Sequence, residues 1–421
     1  MASKGTKRPR ELRSISQYRR IVVKAGTNLL TGGTGHLDKG VMNSLVSQIA
    51  YLCDQGVEVL LVSSGAVAAG RQVLDTGQDG GKESQIGKLK IAQKSSTTPW
   101  SWELPFRQVL AAVGQSRLMY TYERLFAEYG VSVAQALVSR RDIADRLGYL
   151  NIRNTLLALL SLGVIPILNE NDVVSIEELS GEVIGDNDTL SALVANMVDA
   201  ELLVMLGEVA GLYTADPRIH PEAQFIPLVE HLEDLDADAA GSWDGLGRGG
   251  MVTKLAAARL ATASGIATSI VDGREPDVLI RLASGQAIGT RFSPTAGQLE
   301  SRQRWMLSAV SSHDAIVADE GAVQALIKKK RSLLPAGIKN VEGKFQRAQL
   351  VEIRDLTGQR IAVGIANYEA EDVRRIMGVR SDRIEAVLGY EYGAEVVHRS
   401  NMVVLSEGSS ESGFAKDIGA G

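Results

Sequence analysis

The chain has 421 residues, 45% of them hydrophobic and 23% charged, which suits a globular protein of two or three domains. Its net charge of −5 at pH 7 gives no overall attraction to nucleic acid or to an anionic membrane. No apolar run reaches the roughly 18 residues of a membrane-spanning helix, and the basic N-terminus lacks the apolar stretch of a signal peptide. We therefore expect a cytoplasmic protein with no membrane partner.

Up to about residue 290, short apolar runs alternate with helical patterns. Runs rich in Val, Ile and Leu predict strands that are covered on both faces, at 21–23, 57–62, 131–137, 164–168, 202–206 and 267–271. Apolar spacings of three and four predict helices between them, at 41–53, 108–129, 151–162, 189–198 and 253–264. The alternation predicts an α/β domain with a mainly parallel sheet sandwiched by helices. Ligands then gather at the carboxyl ends of the strands.

Two glycine-containing loops each carry a lysine, about 230 positions apart. Lys24 precedes Gly26 in the first loop, and Lys254 closes the second, glycine-rich loop at 247–254. Glycine lets the backbone approach a ligand closely, and lysine is a compact charge suited to phosphate oxygens. Neither loop has the spacing of a P-loop. Each alone also fits an ordinary surface turn, but together they suggest a phosphoryl group held from both ends.

Small and polar residues follow the strands predicted between these loops. The strand at 57–62 runs into Ser63, Ser64, Gly65 and Ala66, which can open a helix whose first amides are free for a carboxylate. The segments 166–172 and 185–188 place carboxylates and amides at the end of an apolar segment or the start of a helical one. Such positions in an open α/β sheet are typical of ligand sites.

Cysteine and histidine contribute no chemistry to this pattern. The single cysteine, Cys53, excludes an intramolecular disulfide, and its place in an amphipathic helix predicts a buried structural thiol. The five histidines are scattered without metal-ligand spacing. We therefore expect no transition-metal site.

Taken in chain order, the two lysine loops and the segments between them resemble those of the glutamate 5-kinases. These are amino-acid kinases that phosphorylate the γ-carboxylate of glutamate in proline biosynthesis. The segments 63–70, 111–115 and 211–218 contribute to the resemblance, which extends from about Arg20 to about Arg399. It implies ATP and Mg²⁺ as cofactors and an acyl phosphate as product. The protein ligands of the metal stay unknown.

The resemblance also implies roles for individual residues. Lys24 and Lys254 would contact the transferred phosphoryl group while Asp188 aligns them, and glutamate would lie against Ser64, Asp172 and Asn187. The implied nucleotide-binding positions are Lys24, Gly26, Thr27, Gly207, Glu208, Gly247, Arg248, Gly249, Gly250, Met251, Val252, Thr253 and Lys254. From the residues alone, Ser64 and Asp188 are also plain helix caps, and Asp172 and Asn187 also fit turn caps.

Two segments depart from the pattern of the family. Gly207 and Glu208 stand where the family usually has Thr and Asp. The difference keeps an acidic group but loses a hydroxyl, so the adenine and ribose contacts are the ones it affects. The segment 75–105 is longer than usual, and either a tolerated surface insertion or a functional flap explains it.

Beyond Phe292 the pattern changes to a small β-rich domain, with strands predicted at 315–318, 350–354 and 361–365. The segments 332–338 and 389–393 resemble the PUA domain, named for pseudouridine synthases and archaeosine transglycosylases. The basic run 328–331 is a candidate RNA contact, but such a run is more often a solvated face. The predicted organisation is a flexible basic tail (1–18), an amino-acid kinase domain (19–293), a linker (294–312), a PUA-like domain (313–403) and a disordered tail (404–421).

The resemblance implies partners as well. They are L-glutamate as substrate, proline as feedback inhibitor, glutamyl phosphate reductase as the recipient of the acyl phosphate, and further copies of the chain in a dimer or tetramer. Two alternatives stay open. One is a catalytically altered or RNA-associated protein on the same scaffold, and the other is a related kinase acting on acetylglutamate, aspartate or a nucleotide.

Overall fold

The computed structural model describes residues 16–75, 103–174, 187–232, 250–294 and 313–405. The chain divides into two compact units, one of residues 1–144 and 151–298 and one of residues 145–150 and 299–421. Nearly all of the predicted N-terminal tail, linker and C-terminal tail lie outside the described residues, as does most of the segment 75–105. The predicted domain boundaries therefore stay predictions.

The first unit contains all six strands that the apolar runs predicted, and four shorter ones. In chain order its strands are β1 (Arg20–Ala25), β2 (Glu58–Ser63), β3 (Val133–Val138), β4 (Ile165–Glu170), β5 (Leu202–Gly207), β6 (Leu212–Tyr213), β7 (Phe225–Ile226), β8 (Leu228–Val229), β9 (Ala267–Asp272) and β10 (Thr290–Phe292).

Eight of these strands form one sheet in the order β3-β4-β2-β1-β5-β9-β10-β8. Every pairing in it is parallel except that of β9 with β10. The predicted mainly parallel sheet is thus confirmed. Because β2 and β5 flank β1 on opposite sides, the carboxyl ends of three central strands meet at one edge, where open α/β sheets bind their ligands.

Helices cover this sheet, and the predicted helical segments are all helical. The helices of the first unit are α1 (Thr27–Thr31), α2 (Lys39–Asp54), α3 (Ala66–Asp75), α4 (Glu103–Ala127), α5 (Arg140–Ala144), α6 (Arg146–Ser161), which starts among residues of the second unit, α7 (Asn187–Met197), α8 (Met251–Ala263) and α9 (Val278–Ala283).

Five of the six predicted strands, β1, β2, β4, β5 and β9, are buried on both faces, as their continuous apolar runs predicted. The prediction is wrong for β3, which lies at the edge of the sheet and exposes Gln135 and Leu137. Ile21 and Val23 of β1 share a core with Met42 and Ile49 of α2, and Val22 between them is also fully buried. Helix α7 packs against β1 and β5, and α8 packs against β9. Cys53 lies half-buried against the same core, and burial raises the pKa of its thiol to about 11, so it stays protonated at neutral pH.

Helices α3 and α4 cross at two glycines. A methyl group on Gly114 would lie 1.8 Å from the carbonyl oxygen of Ala66, and one on Gly70 would lie 2.0 Å from that of Leu110. Since Ala66 faces Gly114 while Gly70 faces Leu110, the two helices run antiparallel. The close crossing fixes the first turn of α3, which directly follows Ser64 and Gly65 at the carboxyl end of β2.

The second unit is built on a five-stranded mixed sheet in the order β12-β11-β13-β14-β15. Its strands are β11 (Ala315–Ala318), β12 (Ile338–Glu342), β13 (Leu350–Arg354), β14 (Arg360–Ile365) and β15 (Met402–Val404). Helices α10 (Glu320–Lys329), α11 (Ala370–Ile376) and α12 (Ile384–Leu388) were not predicted. The expected β-rich architecture is confirmed.

The basic run 328–331 has a local structural role. Lys328 and Lys329 occupy the last turn of α10, and all four basic side chains are exposed. Positive charges are favourable there because a helix C-terminus carries a partial negative charge. Across the described residues, the helices include none with the length and hydropathy of a membrane span.

We predict that Gly114→Ala lowers the free energy of unfolding by about 2 kcal/mol or more, because the added methyl group must push two helix backbones apart. Ala112→Ser adds one atom at an exposed position of the same helix and should change it by less than about 0.5 kcal/mol. Urea denaturation followed by circular dichroism measures both. Equal stability of Gly114→Ala and wild type would contradict the tight crossing.

Candidate active site

The residues that the sequence singled out lie at the carboxyl edge of the parallel sheet. Lys24 is the penultimate residue of β1, Ser64 directly follows β2, and Gly207 ends β5. Lys254 lies in the first turn of α8, and Asn187 and Asp188 open α7. Parallel pairing of β1 with β2 and β5 aligns these strand ends, since Ala25 lies opposite both Ser63 and Leu206.

Lys24 and Lys254 converge on one carboxylate. The Nζ of Lys24 lies 2.5 Å from Oδ1 of Asp188, and the Nζ of Lys254 lies 3.1 Å from Oδ2 of the same side chain. Asp188 is completely buried, while Lys24 and Lys254 are 3% and 9% exposed. Two lysines 230 positions apart in sequence are thus held side by side by a shared counter-ion.

The charge state of Asp188 follows from these contacts. Burial by itself raises the pKa of a carboxyl group, but the charges of Lys24 and Lys254 and the hydrogen bonds from Lys24 and Thr253 outweigh it and lower the pKa of Asp188 to about 2. Asp188 is therefore ionised at neutral pH. It acts as a fixed anion that orients the lysines, and it has no proton to exchange there.

Thr253 is a further partner of Asp188. Its Oγ1 lies 2.8 Å from Asp188 Oδ2 and 2.8 Å from the carbonyl oxygen of Gly250. Asp188 lies inside α7, which begins at Asn187, and its carboxylate binds the lysines and Thr253. Its side chain therefore serves the cluster of charges, and the alternative role as the N-cap of this helix is wrong.

A cavity of about 600 Å³ adjoins this cluster through the first turn of α7. Ser64, Asp172 and Asn187 line it together, so the three residues proposed to hold the substrate share one cavity. The other polar or charged side chains that the described residues contribute to its wall are Thr27, Arg71, Arg107, Asn169 and Glu170. A space of this size holds a small polar molecule.

Amide side chains fix the orientation of Asn187 in this wall. Its Nδ2 donates to Ser64 Oγ at 2.8 Å and to Asn169 Oδ1 at 2.9 Å, and Asn169 Nδ2 donates to Gln115 Oε1 at 2.9 Å. The remaining atom, Asn187 Oδ1, is shielded from solvent and has no hydrogen-bond partner among the described residues. A buried acceptor left in this way is suited to a ligand that carries a donor.

Hydroxyl groups hold the turn that carries Ser64. Ser63 Oγ donates to the carbonyl oxygen of Ser64 at 3.0 Å, and the buried Tyr122 hydroxyl lies 2.8 Å from Ser63 Oγ. Because the Ser63 proton is used on Ser64, Tyr122 is the donor to Ser63. The backbone N–H of Ser64 also donates to Ala25, which ties this turn to β1.

Glu208, which follows Gly207, accepts hydrogen bonds at both its side chain and its carbonyl oxygen. Asn28 Nδ2 donates to Glu208 Oε2 at 3.3 Å, and Arg274 Nη2 donates to the carbonyl oxygen of Glu208 at 2.6 Å. Arg274 is held in turn by Asp272 at the end of β9. A Cβ atom on Gly207 would lie 3.8 Å from the nearest atom beyond its chain neighbours, so there is room for a first side-chain carbon at this position.

The remaining nucleotide-binding predictions divide between the two sides of the cluster. A methyl group on Gly26 would lie 3.4 Å from the Nζ of Lys24, so glycine at this position avoids crowding that ammonium group, and Thr27 lines the cavity. Gly250 precedes α8, and Met251 and Val252 are in its first turn. Gly247, Arg248 and Gly249 lie outside the described residues.

Sequence reasoning did not assign roles to Arg71, Arg107, Gln115, Asn169 and Glu170. Asn169 and Glu170 belong to the polar run that ends β4, and Gln115 belongs to a motif of the resemblance. The motifs therefore contained the signal that could have placed these three residues at the site. Arg71 and Arg107 required knowledge of how α3 and α4 pack.

We predict that Asp188→Asn flattens the acid dependence of stability. The folded-state pKa of Asp188 is about 2, below the ordinary 3.8, so ionised Asp188 contributes about 2 kcal/mol of stability above pH 4. This contribution is lost as the pH falls through 2. At neutral pH the variant should lose about 3–5 kcal/mol, since the lysines lose their counter-ion.

Urea denaturation at several pH values from 2 to 7 measures this, with Asp54→Asn as control because Asp54 is an exposed carboxylate on α2. Asp54→Asn should follow the wild-type curve. An Asp188→Asn curve parallel to that of wild type below pH 4 would contradict the assigned charge state.

Comparisons with known proteins agree with this architecture. The profile described as the Amino acid kinase family matches residues 19–272, and that of the PUA domain matches residues 314–388. Among solved structures, a UMP kinase from Bacillus anthracis is 16% identical with a TM-score of 0.44, covering 66% of this chain and 97% of its own, and it adds nothing to the assignment.

Curated relatives match at higher identity. A glutamate 5-kinase of Dehalococcoides mccartyi (strain CBDB1) is 49% identical over 92% of this chain and 99% of its own length. The glutamate 5-kinase of Herpetosiphon aurantiacus is also 49% identical with the same coverage, and that of Geobacter sulfurreducens is 44% identical over 93% of this chain and 99% of its own. On these matches, the chain belongs to the glutamate 5-kinases of the amino acid kinase family.

Proposed function

We propose that the protein transfers the γ-phosphoryl group of ATP to the γ-carboxylate of L-glutamate, giving L-glutamyl 5-phosphate and ADP, the first step of proline biosynthesis. The observation that carries this proposal is the convergence of Lys24 and Lys254 on Asp188, next to a cavity lined by Ser64, Asp172 and Asn187. Membership of the glutamate 5-kinases supports the choice of substrate.

The reaction needs positive charge more than it needs a base. A carboxylate is already a nucleophile at neutral pH, so the difficulty is to bring it against a triphosphate and to neutralise the charge spread over the migrating group. Two ammonium groups fixed side by side provide preorganised charge for that step. Asp188 is ionised and buried, so its part is to position the lysines.

The start of α8 is suited to the phosphates of the nucleotide. Gly250 caps the helix without a side-chain hydrogen bond, and the first turn contains no acidic residue. Free amides and the positive end of the helix dipole then face an incoming anion. Lys254 in the same turn places its charge close to this end.

The other side of the cavity is suited to an amino-acid acceptor. Asp172 and Glu170 provide carboxylates, and Asn187 Oδ1 is a shielded acceptor without a partner among the described residues. These groups can receive the ammonium group of L-glutamate. Ser64 would then lie near the carboxylate end of the substrate.

Mg²⁺ enters the proposal with the nucleotide. Within the described ranges, no group of three or more His, Cys, Asp or Glu side chains could hold a metal ion, and the Asp188 carboxylate is already shared by two lysines. Mg²⁺ is commonly held mainly by substrate phosphates and water. The described residues thus fit a Mg²⁺ ion that is held mainly by the phosphates of ATP.

Further relationships are part of the proposal and rest on the family alone. They are feedback inhibition by proline, delivery of the acyl phosphate to glutamyl phosphate reductase, and assembly into a dimer or tetramer. The instability expected of an acyl phosphate is consistent with its prompt consumption by a second enzyme. For RNA binding by the second unit, the described residues contribute the exposed basic run at 328–331.

The test is ADP release with ATP and Mg²⁺, measured side by side with L-glutamate, L-aspartate, N-acetyl-L-glutamate and UMP. We expect turnover with L-glutamate to exceed that with each alternative by at least about 10²-fold. The cavity groups hold the acceptor at a fixed distance from the lysines, and only an acceptor of matching length brings its carboxylate to them. Preference for another acceptor, or no turnover with any, would contradict the proposal.

Lys254→Ala should lower kcat about 10²- to 10³-fold in the same assay, as expected when one preorganised charge is removed. Lys39→Ala removes an exposed lysine at the start of α2 and should leave kcat unchanged. Circular dichroism confirms that both variants are folded. Wild-type turnover in folded Lys254→Ala protein would refute the role of this lysine.

A further inference from the structure

The wall of the cavity carries more charge than the proposed reaction has so far used. Within the described part of the chain, its carboxylates are Glu170 and Asp172 and its cations are Arg71 and Arg107. At neutral pH, L-glutamate carries an ammonium group and two carboxylates. The reacting carboxylate belongs with the lysines and the ammonium group with Glu170, Asp172 and Asn187, which leaves the α-carboxylate without a cationic partner.

Arg71 is directed toward that end of the cavity by the geometry of α3. It lies four residues after Val67, which also lines the cavity, so both are on the same face of the helix. Long side chains on a helix extend toward its N-terminus and over the preceding turn. The N-terminus of α3 follows Ser64 and Gly65, so by this rule the Arg71 side chain extends toward the part of the cavity that adjoins the first amides of the helix.

The crossing of α3 with α4 keeps Arg71 in the wall. Gly70, its neighbour, is in contact with the backbone of Leu110 on α4, and Leu110 also lines the cavity. The backbone that carries Arg71 is therefore fixed. The Arg71 side chain is exposed and makes no hydrogen bond or ion pair with another described residue, so its guanidinium group is available to a ligand. Arg107 differs, since it already takes part in an interaction within the chain.

We propose that Arg71 binds the α-carboxylate of the acceptor and so selects substrates with a second carboxylate at that distance from the reacting one. The inference rests on the proposed function. The planar guanidinium group of Arg71 can donate two parallel hydrogen bonds to one carboxylate, which a lysine cannot do. The proposal makes Arg71 a binding and specificity residue, without a part in the transfer itself.

The test is a cycle of two proteins and two substrates. Wild type and Arg71→Gln are each assayed with L-glutamate and with L-glutamic acid 1-amide, in which an amide replaces the α-carboxylate. We expect Arg71→Gln to reduce kcat/KM for L-glutamate about 10- to 100-fold, mostly through KM. With the 1-amide the two proteins should differ by less than about 3-fold, because the interaction is already absent.

Further variants make the cycle specific. Arg71→Lys should lie between wild type and Arg71→Gln, since charge is kept and the fork is lost. Arg117→Gln makes the same change at an exposed arginine of α4 outside the cavity wall and should match wild type. Arg107→Gln should affect both substrates alike.

The outcomes separate this inference from the proposed function. If wild type is inactive with L-glutamate, both are wrong. If wild type is active but Arg71→Gln reduces activity with L-glutamate and its 1-amide by the same factor, Arg71 does not contact the α-carboxylate and only this inference is overturned. A substrate-dependent loss in Arg107→Gln alone would assign the role to Arg107 and equally overturn it.

Discussion

The proposed site at the carboxyl edge of the sheet depends on the buried cluster of Lys24, Asp188 and Lys254. Three ionised groups taken out of water cost several kcal/mol each unless they compensate one another. Here each oxygen of the carboxylate has a lysine, and Thr253 adds a further contact. A packed apolar core would be at least as stable, so stability does not explain why this charge is buried. The cluster places two like charges together, which is difficult without a shared anion and useful for a migrating phosphoryl group.

The parallel sheet makes this cluster possible. Lys24 comes from β1, Asp188 from the first turn of α7 and Lys254 from the first turn of α8. Each position is at a strand end or a helix start on the same edge of the sheet, where backbone amides and short side chains are available for ligands. The crossing at Gly70 and Gly114 brings α3 and α4 to that edge and so forms the cavity next to the cluster.

The sequence was sufficient for the parts of the fold with strong periodicity. Six continuous apolar runs predicted β1 to β5 and β9, and in all of these except β3 the run reflects burial on both faces. Short elements such as β6, β7, α1 and α9 were missed, since two to six residues are too few to show a period. The motifs predicted Lys24, Asp188 and Lys254. The cavity role of Arg71 depends on helix packing, which no local pattern contains.

The central claim is that both lysines contact the phosphoryl group during transfer. The most direct measurement is a crystal structure of the protein with ADP, Mg²⁺, aluminium fluoride and L-glutamate, in which the fluoride complex mimics the migrating group. We predict that Nζ of Lys24 and Nζ of Lys254 both lie within about 3 Å of the fluoride or of the adjoining phosphate oxygens. A complex in which either ammonium group stays on Asp188 and faces away from the nucleotide would contradict the account.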